Sequence, residues 1–258
     1  MVELTIDNKL LIFNMLMIHY AVKVGIINGT EVKPHSRPYM AFVHGQIICG
    51  GFLVSEQYVM TAAHCWENKS TLTVRLGAHD LLDTNDGSVS MAVETYIQQP
   101  QYTDGQLDYD IMLLKVNHCT TTALYINIFK KSQTVNWISI PQRDEDIPAN
   151  LKCSVAGWGK TGDTKNPSYR LMETDVHIID GAKCKESWGR YPNPRMMCAL
   201  YPGGFCQGDS GGPLVCKNTA VGIVSFNQKN NCDSPNVPNV YAKISAFLPW
   251  IKSVIGNV

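Results

Sequence analysis

From Ile47 onward the chain is cut into short apolar segments: Ile47 to Leu53, Val59 to Ala63, Leu72 to Leu76, Val89 to Ile97 and Ile111 to Val116, each ended by glycine or polar residues. Segments of this length, rich in β-branched side chains, are strands, and no 3.6-residue apolar period runs through the region. Strands of this kind bury their apolar faces only by pairing with one another and then stacking or closing. The pattern therefore restricts the fold to an all-β barrel or sandwich. With 258 residues, 45% of them hydrophobic, there is enough chain for one large domain or two small lobes.

Lys plus Arg and Asp plus Glu both number 22, so the formal net charge is zero. Nothing in that balance calls for nucleic acid, a polyanionic matrix or an acidic membrane as an obligatory partner. The nine cysteines lie far apart without a repeated Cys-x-x-Cys pair. That spacing predicts a disulfide framework in an oxidising compartment in preference to a zinc site. Each bridge would stabilise the fold by roughly 2–4 kcal/mol. The odd total leaves one thiol free or joined to a second chain. Leu10 to Val22, interrupted by Asn14 and His19, is too short to span a bilayer and has the length of a signal-peptide core, although Glu3 and Asp7 occupy a region that is usually basic. Residues 1–25 are accordingly read as a signal peptide with a short propeptide, and 26–258 as the mature domain.

Chemistry is concentrated in Gly204-Phe205-Cys206-Gln207-Gly208-Asp209-Ser210-Gly211-Gly212-Pro213. A serine hydroxyl is a poor nucleophile at neutral pH and needs a base to take its proton and donors to hold the oxyanion it generates. Glycines on either side of Ser210 let backbone N–H groups approach a substrate carbonyl. The same stretch also reads as a plain Gly-rich turn, so the decision rests on a base and an orienting acid elsewhere. His64, in Thr61-Ala62-Ala63-His64-Cys65, ends an apolar strand beside a cysteine able to pair with Cys49, which would hold its backbone in register. Asp110 directly precedes the apolar run from Ile111 and is better placed than Asp108 to point inward. A buried carboxylate there needs a hydrogen-bonding partner such as an imidazole.

With TAAHC, DIMLLKV and GDSGGP in the order His, Asp, Ser, the chain resembles the trypsin-like serine proteases, and IINGT from Ile26, VAGWG from Val155 and PNVY from Pro238 extend the likeness over residues 26–258. The resemblance implies two six-stranded antiparallel β-barrels, with the active site between them and a C-terminal helix. The stripe Ile244, Phe247, Leu248, Ile251, Val254, Ile255 would be that helix, packed on the second barrel. It implies His64 as general base and then acid, Asp110 as its orienting group and Ser210 as nucleophile. The Gly208 and Ser210 amides would form the oxyanion hole. Cleavage before Ile26 would free an ammonium group that inserts beside Asp209; the preceding residue is Gly25, which a trypsin-like activator would not recognise. The implied disulfides are Cys49 with Cys65, Cys153 with Cys216, Cys184 with Cys198 and Cys206 with Cys232. Cys119 is left as a free thiol in a monomer or an interchain bridge in a dimer. No cofactor is implied, and Asp80, Asp83 and Asp86 read as a solvated turn in place of a family calcium site. PHSRPYMA and the four-bridge pattern are most similar to granzymes of the A and K type and related leukocyte proteases, stored in secretory granules or secreted. Protein or peptide substrates, and serpin-type inhibitors, would be the partners.

Specificity departs from the trypsin-type pattern. Gly204 stands where such relatives carry an aspartate, so a basic side chain would enter the pocket without a counter-charge. Phe205 is a candidate filler of the pocket floor or wall, and Asn227 and Asn239 stand where relatives have glycine. These positions predict a preference for an uncharged residue before the cut bond. Ser225, Phe226 and Asn227 would pair with an extended substrate as an added strand. The competing reading is a catalytically silent, protease-like binding protein with a closed pocket.

Overall fold

A computed structural model describes residues 26–116 and 134–256. The expected leader, residues 1–25, and Cys119 lie outside the described residues. The first barrel closes through β2 (Met40–His44), β3 (Ile48–Leu53), β4 (Tyr58–Thr61), β5 (Thr73–Leu76), β6 (Val89–Gln98) and β7 (Met112–Val116), paired in the order β2-β3-β4-β7-β6-β5. The second is built from β8 (Lys152–Gly157), β9 (Met172–Ile179), β10 (Met196–Pro202), β11 (Pro213–Cys216), β12 (Thr219–Phe226) and β13 (Asn239–Lys243), and closes because β8 pairs with both β9 and β11. A two-residue strand β1 (Thr30–Glu31) adds to the edge of β9. All pairings between these strands are antiparallel. The all-β, two-barrel expectation is borne out.

The strands follow their residues. In β9 the sequence METDVHII alternates buried and more accessible positions along its length, the period-two signature of a sheet with one face in the core. In β7 the run MLLKV is buried at four of five positions, so this strand is covered on both faces. The larger core cluster runs from Val32 and Phe52 in the first barrel through Trp158 to Val215, Ile223 and Ala242 in the second. Ile26, Met172, Phe205, Leu214 and Tyr241 fill a second cluster inside the second barrel.

Two helices complete the fold. The helix α1 (Gly181–Trp188) starts where the Asp180 carboxylate accepts a hydrogen bond from the Lys183 N–H and stops at Gly189 with φ +63°. Only Cys184 of its eight residues is buried, so the sequence carries no stripe that would announce it. The C-terminal segment forms a 3₁₀ turn over Ile244–Phe247 and then α2 (Leu248–Ile255). Ile244, Phe247, Leu248 and Ile251 join the larger cluster, which includes Val215, Ala220, Ile223 and Ala242 of the second barrel as well as first-barrel residues, and the 3₁₀ turn lies against β12 of the second barrel.

The loop from Gly77 to Ser88 also differs from expectation. Asp80 and Asp83 cap local turns, but Asp86 is almost buried and faces Arg75. The Arg75 guanidinium lies within this loop, donating to Ser88 Oγ at 2.7 Å and to the carbonyls of Leu81 and Asp83 at 2.9 and 2.7 Å. An internal cation thus gathers oxygens that a solvated turn would leave to water. Among the described residues, no helix is long and apolar enough to cross a membrane.

Candidate active site

The seam between the barrels is where the singled-out residues meet. On the first-barrel side, β4 ends at Thr61, whose hydroxyl donates to the Gly50 carbonyl at 2.8 Å. The chain then turns into a 3₁₀ segment, Ala63–Lys69, that carries His64. The Cys49–Cys65 disulfide ties this turn to β3. Asp110 sits just before β7, and its carboxylate is only 3% exposed. One oxygen accepts from the His64 backbone N–H at 3.0 Å; the other meets His64 Nδ1 at 2.8 Å and accepts from the Ser225 hydroxyl at 2.5 Å.

Burial alone would raise the Asp110 pKa, but the His64 charge and the hydrogen bonds from His64 and Ser225 outweigh it and hold the carboxyl below its ordinary value. His64 shows the mirror effect. Desolvation would lower its pKa, and the adjacent Asp110 charge and hydrogen bond reverse the sign and raise it. Asp110 is therefore an ionised carboxylate hydrogen-bonded to an imidazole. Asp108 turns away and pairs with Arg195.

The second barrel supplies the loop before β11. Ser210 is held next to the histidine turn: its carbonyl accepts from the Gly50 N–H at 2.7 Å, while Gly211 N–H reaches the Val224 carbonyl at 2.8 Å. A Cβ on Gly211 would stand 2.1 Å from Thr61 Oγ1 and 2.5 Å from the Gly50 carbonyl, and its φ of +83° is a glycine conformation. The two barrels approach too closely there for any side chain. Gly208 has φ +99°. Among the described residues, neither the Gly208 nor the Ser210 N–H donates a hydrogen bond, and the Ser210 hydroxyl makes none either. The loop thus presents two unused amides beside a free hydroxyl.

Asp209 is fully buried. It accepts hydrogen bonds from the N–H groups of Gly159 at 2.7 Å and Cys206 at 3.0 Å. Desolvation pushes its pKa up to about 7, because those two amides compensate only in part. Ile26 is also buried, and Ile27 exchanges two backbone hydrogen bonds with Gly204. Two glycines that the sequence reading quoted only within VAGWG, without a role, cradle this carboxylate. A Cβ on Gly157 would lie 2.1 Å from Asp209 Oδ1, and one on Gly159 would lie 2.5 Å from its Cγ. The signal was present: paired glycines around Trp158 at a strand end mark a close approach.

In the pocket region the asparagines and the phenylalanines part company. A Cβ on Gly204 would meet Asn239 Nδ2 at 2.3 Å, so the buried Asn239 carboxamide occupies the space over Gly204. The Asn227 amide donates to the Phe205 carbonyl at 2.8 Å and ties the segment after β12 to the loop before Ser210. Phe205 is buried. Its ring packs edge-on against Tyr241 in the second-barrel core, with centroids 5.3 Å apart. Phe226 packs against Trp188 and Tyr191.

Disulfides join Cys49 to Cys65, Cys153 to Cys216, Cys184 to Cys198 and Cys206 to Cys232. Two of them flank the site directly, one beside His64 and one four residues before Ser210. Among the described residues the groupings with metal-ligand potential, Cys49-His64-Cys65 and Asp163-Cys206-Cys232, each contain one of these bridges. Oxidised sulfurs cannot act as thiolate ligands.

Residues 26–251 match the trypsin family. Rat serine protease 57 is 38% identical over 240 residues, covering 89% of this chain and 82% of the relative. Human cathepsin G is 34% identical over 89% of this chain and 87% of its own, and rat granzyme B 37% identical over 89% and 91%. The solved structure of neuropsin, a serine protease expressed in mouse brain, superposes with a TM-score of 0.78 at 31% identity, covering 89% of this chain and all of that one. With a family match over nearly the whole described chain and a two-barrel fold to carry it, this protein belongs to the trypsin family of serine endopeptidases.

Proposed function

We propose that the chain is a secreted or granule-stored serine endopeptidase that works through Ser210, His64 and Asp110 and prefers an uncharged residue before the cut bond. The observation that carries this is Asp110, buried and ionised, clasped by Ser225 and by two nitrogens of a His64 that stands beside the Ser210 loop. Asp110 holds the Nδ1 proton, which leaves Nε2 as the basic nitrogen. Nε2 takes the Ser210 proton as Oγ attacks the scissile carbonyl, and the tetrahedral oxyanion rests on the Gly208 and Ser210 amides. His64 then returns the proton to the leaving amine, and an acyl-enzyme on Ser210 is hydrolysed by the reverse sequence. Cutting the Gly25–Ile26 bond would place an ammonium group beside Asp209 and lock the loop.

The pocket reading rests on Gly204 and Asn239. A guanidinium or ammonium entering there meets a neutral carboxamide and no carboxylate, and an unpaired buried cation costs several kcal/mol. Met, Leu and Asn are the side chains this site favours. The four disulfides fit an extracellular or granule setting. The test is cleavage of a peptide library by protein beginning at Ile26, with Ser210→Ala as control and mass spectrometry identifying the residue before each cut. Cuts after uncharged residues that vanish in the control are expected. Predominant cleavage after Arg or Lys would refute the pocket reading, and no cleavage with a verified Ile26 terminus would refute the enzyme.

A further inference from the structure

The carboxylate next to the orienting acid is used for something else. Asp108 receives a two-pronged hydrogen bond from Arg195, Nε to Oδ1 at 2.9 Å and Nη2 to Oδ2 at 2.5 Å. Asn193 Nδ2 adds a third donor at 2.9 Å and the Tyr109 N–H a fourth at 2.8 Å. The same guanidinium lies over the Tyr109 ring at 4.3 Å, and Phe247 packs edge-on against that ring. Tyr109 has φ +58°, a left-handed conformation that a bulky aromatic residue adopts only when its surroundings impose it. Asp110 is the next residue.

The placement of these groups gives the contact a role beyond surface pairing. Asp108 and Tyr109 lead into β7 of the first barrel, while Arg195 leads into β10 of the second and is anchored there by the Lys243 N–H on its carbonyl at 2.8 Å. The proposed active site straddles the same seam, with His64 and Asp110 on one side and Ser210 and Ser225 on the other. We propose that Arg195 is a positioning residue for the reaction: its fork on Asp108 and its stacking on Tyr109 impose the left-handed turn that presents Asp110 to His64. A planar guanidinium suits this task, since one group makes the fork and the stack together, whereas an ammonium makes only a point contact. The inference rests on the proposed roles of Asp110 and His64.

The test uses protein beginning at Ile26 and compares Arg195→Gln, Arg195→Lys and the charge-balanced double variant Asp108→Asn/Arg195→Gln, with kcat referred to sites counted by a serine-acylating reagent. For Arg195→Gln we expect kcat to fall at least tenfold with KM within twofold. Arg195→Lys should fall between it and the parent, more than twofold below the parent, and the double variant should be no worse than Arg195→Gln. A second readout is the His64 pKa followed by proton NMR in the Ser210→Ala background, which reports the Asp110 contact whether or not the enzyme turns over. The carboxylates acting on His64 are Asp110 and Glu67. Loosening Asp110 lowers the His64 pKa in Arg195→Gln, whereas loss of the Arg195 positive charge alone would raise it. A folded Arg195→Gln or Arg195→Lys protein with kcat within twofold of the parent, a His64 pKa that stays or rises, or an additive further loss in the double variant would each overturn the proposal. If Arg195→Gln fails to fold, Arg195→Lys decides. Failure of the protease reading shows differently, as wild-type protein without Ser210-dependent cleavage.

Discussion

Gly204→Asp would restore the carboxylate that trypsin-type relatives carry, and the structure says that this change alone will not create a site for arginine. A Cβ at position 204 stands 2.3 Å from Asn239 Nδ2 and 3.4 Å from its Cγ. Contacts below about 3 Å require something to move, and Asn239 is 7% exposed, packed in β13. Forcing the larger side chain into that space should destabilise the fold by roughly 1–3 kcal/mol and leave the pocket filled. Removing the obstacle with Asn239→Gly in the same protein opens the space and gives a substrate cation its partner. If that pairing recovers about 3 kcal/mol of the burial cost, kcat/KM for arginine rises on the order of 100-fold, at 1.36 kcal/mol per factor of ten. The assay is a set of peptides identical except for Arg, Lys, Met or Leu before the cut, run on parent, single and double variants with thermal unfolding alongside. The reasoning fails if Gly204→Asp alone cleaves after Arg as well as the double variant does, because Asn239 would then be no obstacle. It fails equally if the double variant still rejects Arg, because position 204 would then not face the substrate.

In the uncleaved chain the Asp209 pKa, raised from its ordinary value to about 7, means that the folded state keeps a proton that the unfolded chain has released. Stability should therefore fall as pH rises from about 4 to about 7, by up to about 4 kcal/mol; urea unfolding at several pH values would show this slope, and it should disappear in Asp209→Asn or after release of the Ile26 ammonium. Arg75→Ala removes the cation that gathers Leu81, Asp83, Asp86 and Ser88, so Tm should drop by roughly 5–10 °C and limited proteolysis should begin within Leu81 to Gly87, while a chelator leaves the parent Tm unchanged. A chelator-sensitive Tm would show that a metal ion, and not Arg75, organises that loop.

The site was legible in part because its local chemistry is written in short runs. A strand end followed by His64, an acid just ahead of Ile111, and a serine among glycines can each be recognised without knowing where the others lie. The cradle under Asp209 was missed because Gly157 and Gly159 look like ordinary strand-end glycines until the carboxylate 50 residues away arrives against them. The contact that the Phe205 ring makes was hidden for a related reason. Its neighbours in sequence belong to the pocket, but the ring chooses the side of the chain where Tyr241 offers an apolar contact.

What the sequence determined by itself is the set of elements: apolar runs of strand length at Val89 to Ile97 and Ile111 to Val116 became β6 and β7 within a residue at each end, because run length, residue type and flanking turn signals are local properties. The part of the C-terminal stripe from Leu248 to Ile255 became α2, because a 3.6-residue apolar period is also local, while Ile244 and Phe247 fell in the 3₁₀ turn before it. Only the tertiary structure decided which surface α2 covers, how Asp110 meets an imidazole 46 residues away, and that Arg75, unremarkable in sequence, sits inside an acidic loop. Those outcomes depend on barrel closure, which sets distances between residues that share no local pattern. The burial that closure creates then makes each unpaired charge find its partner.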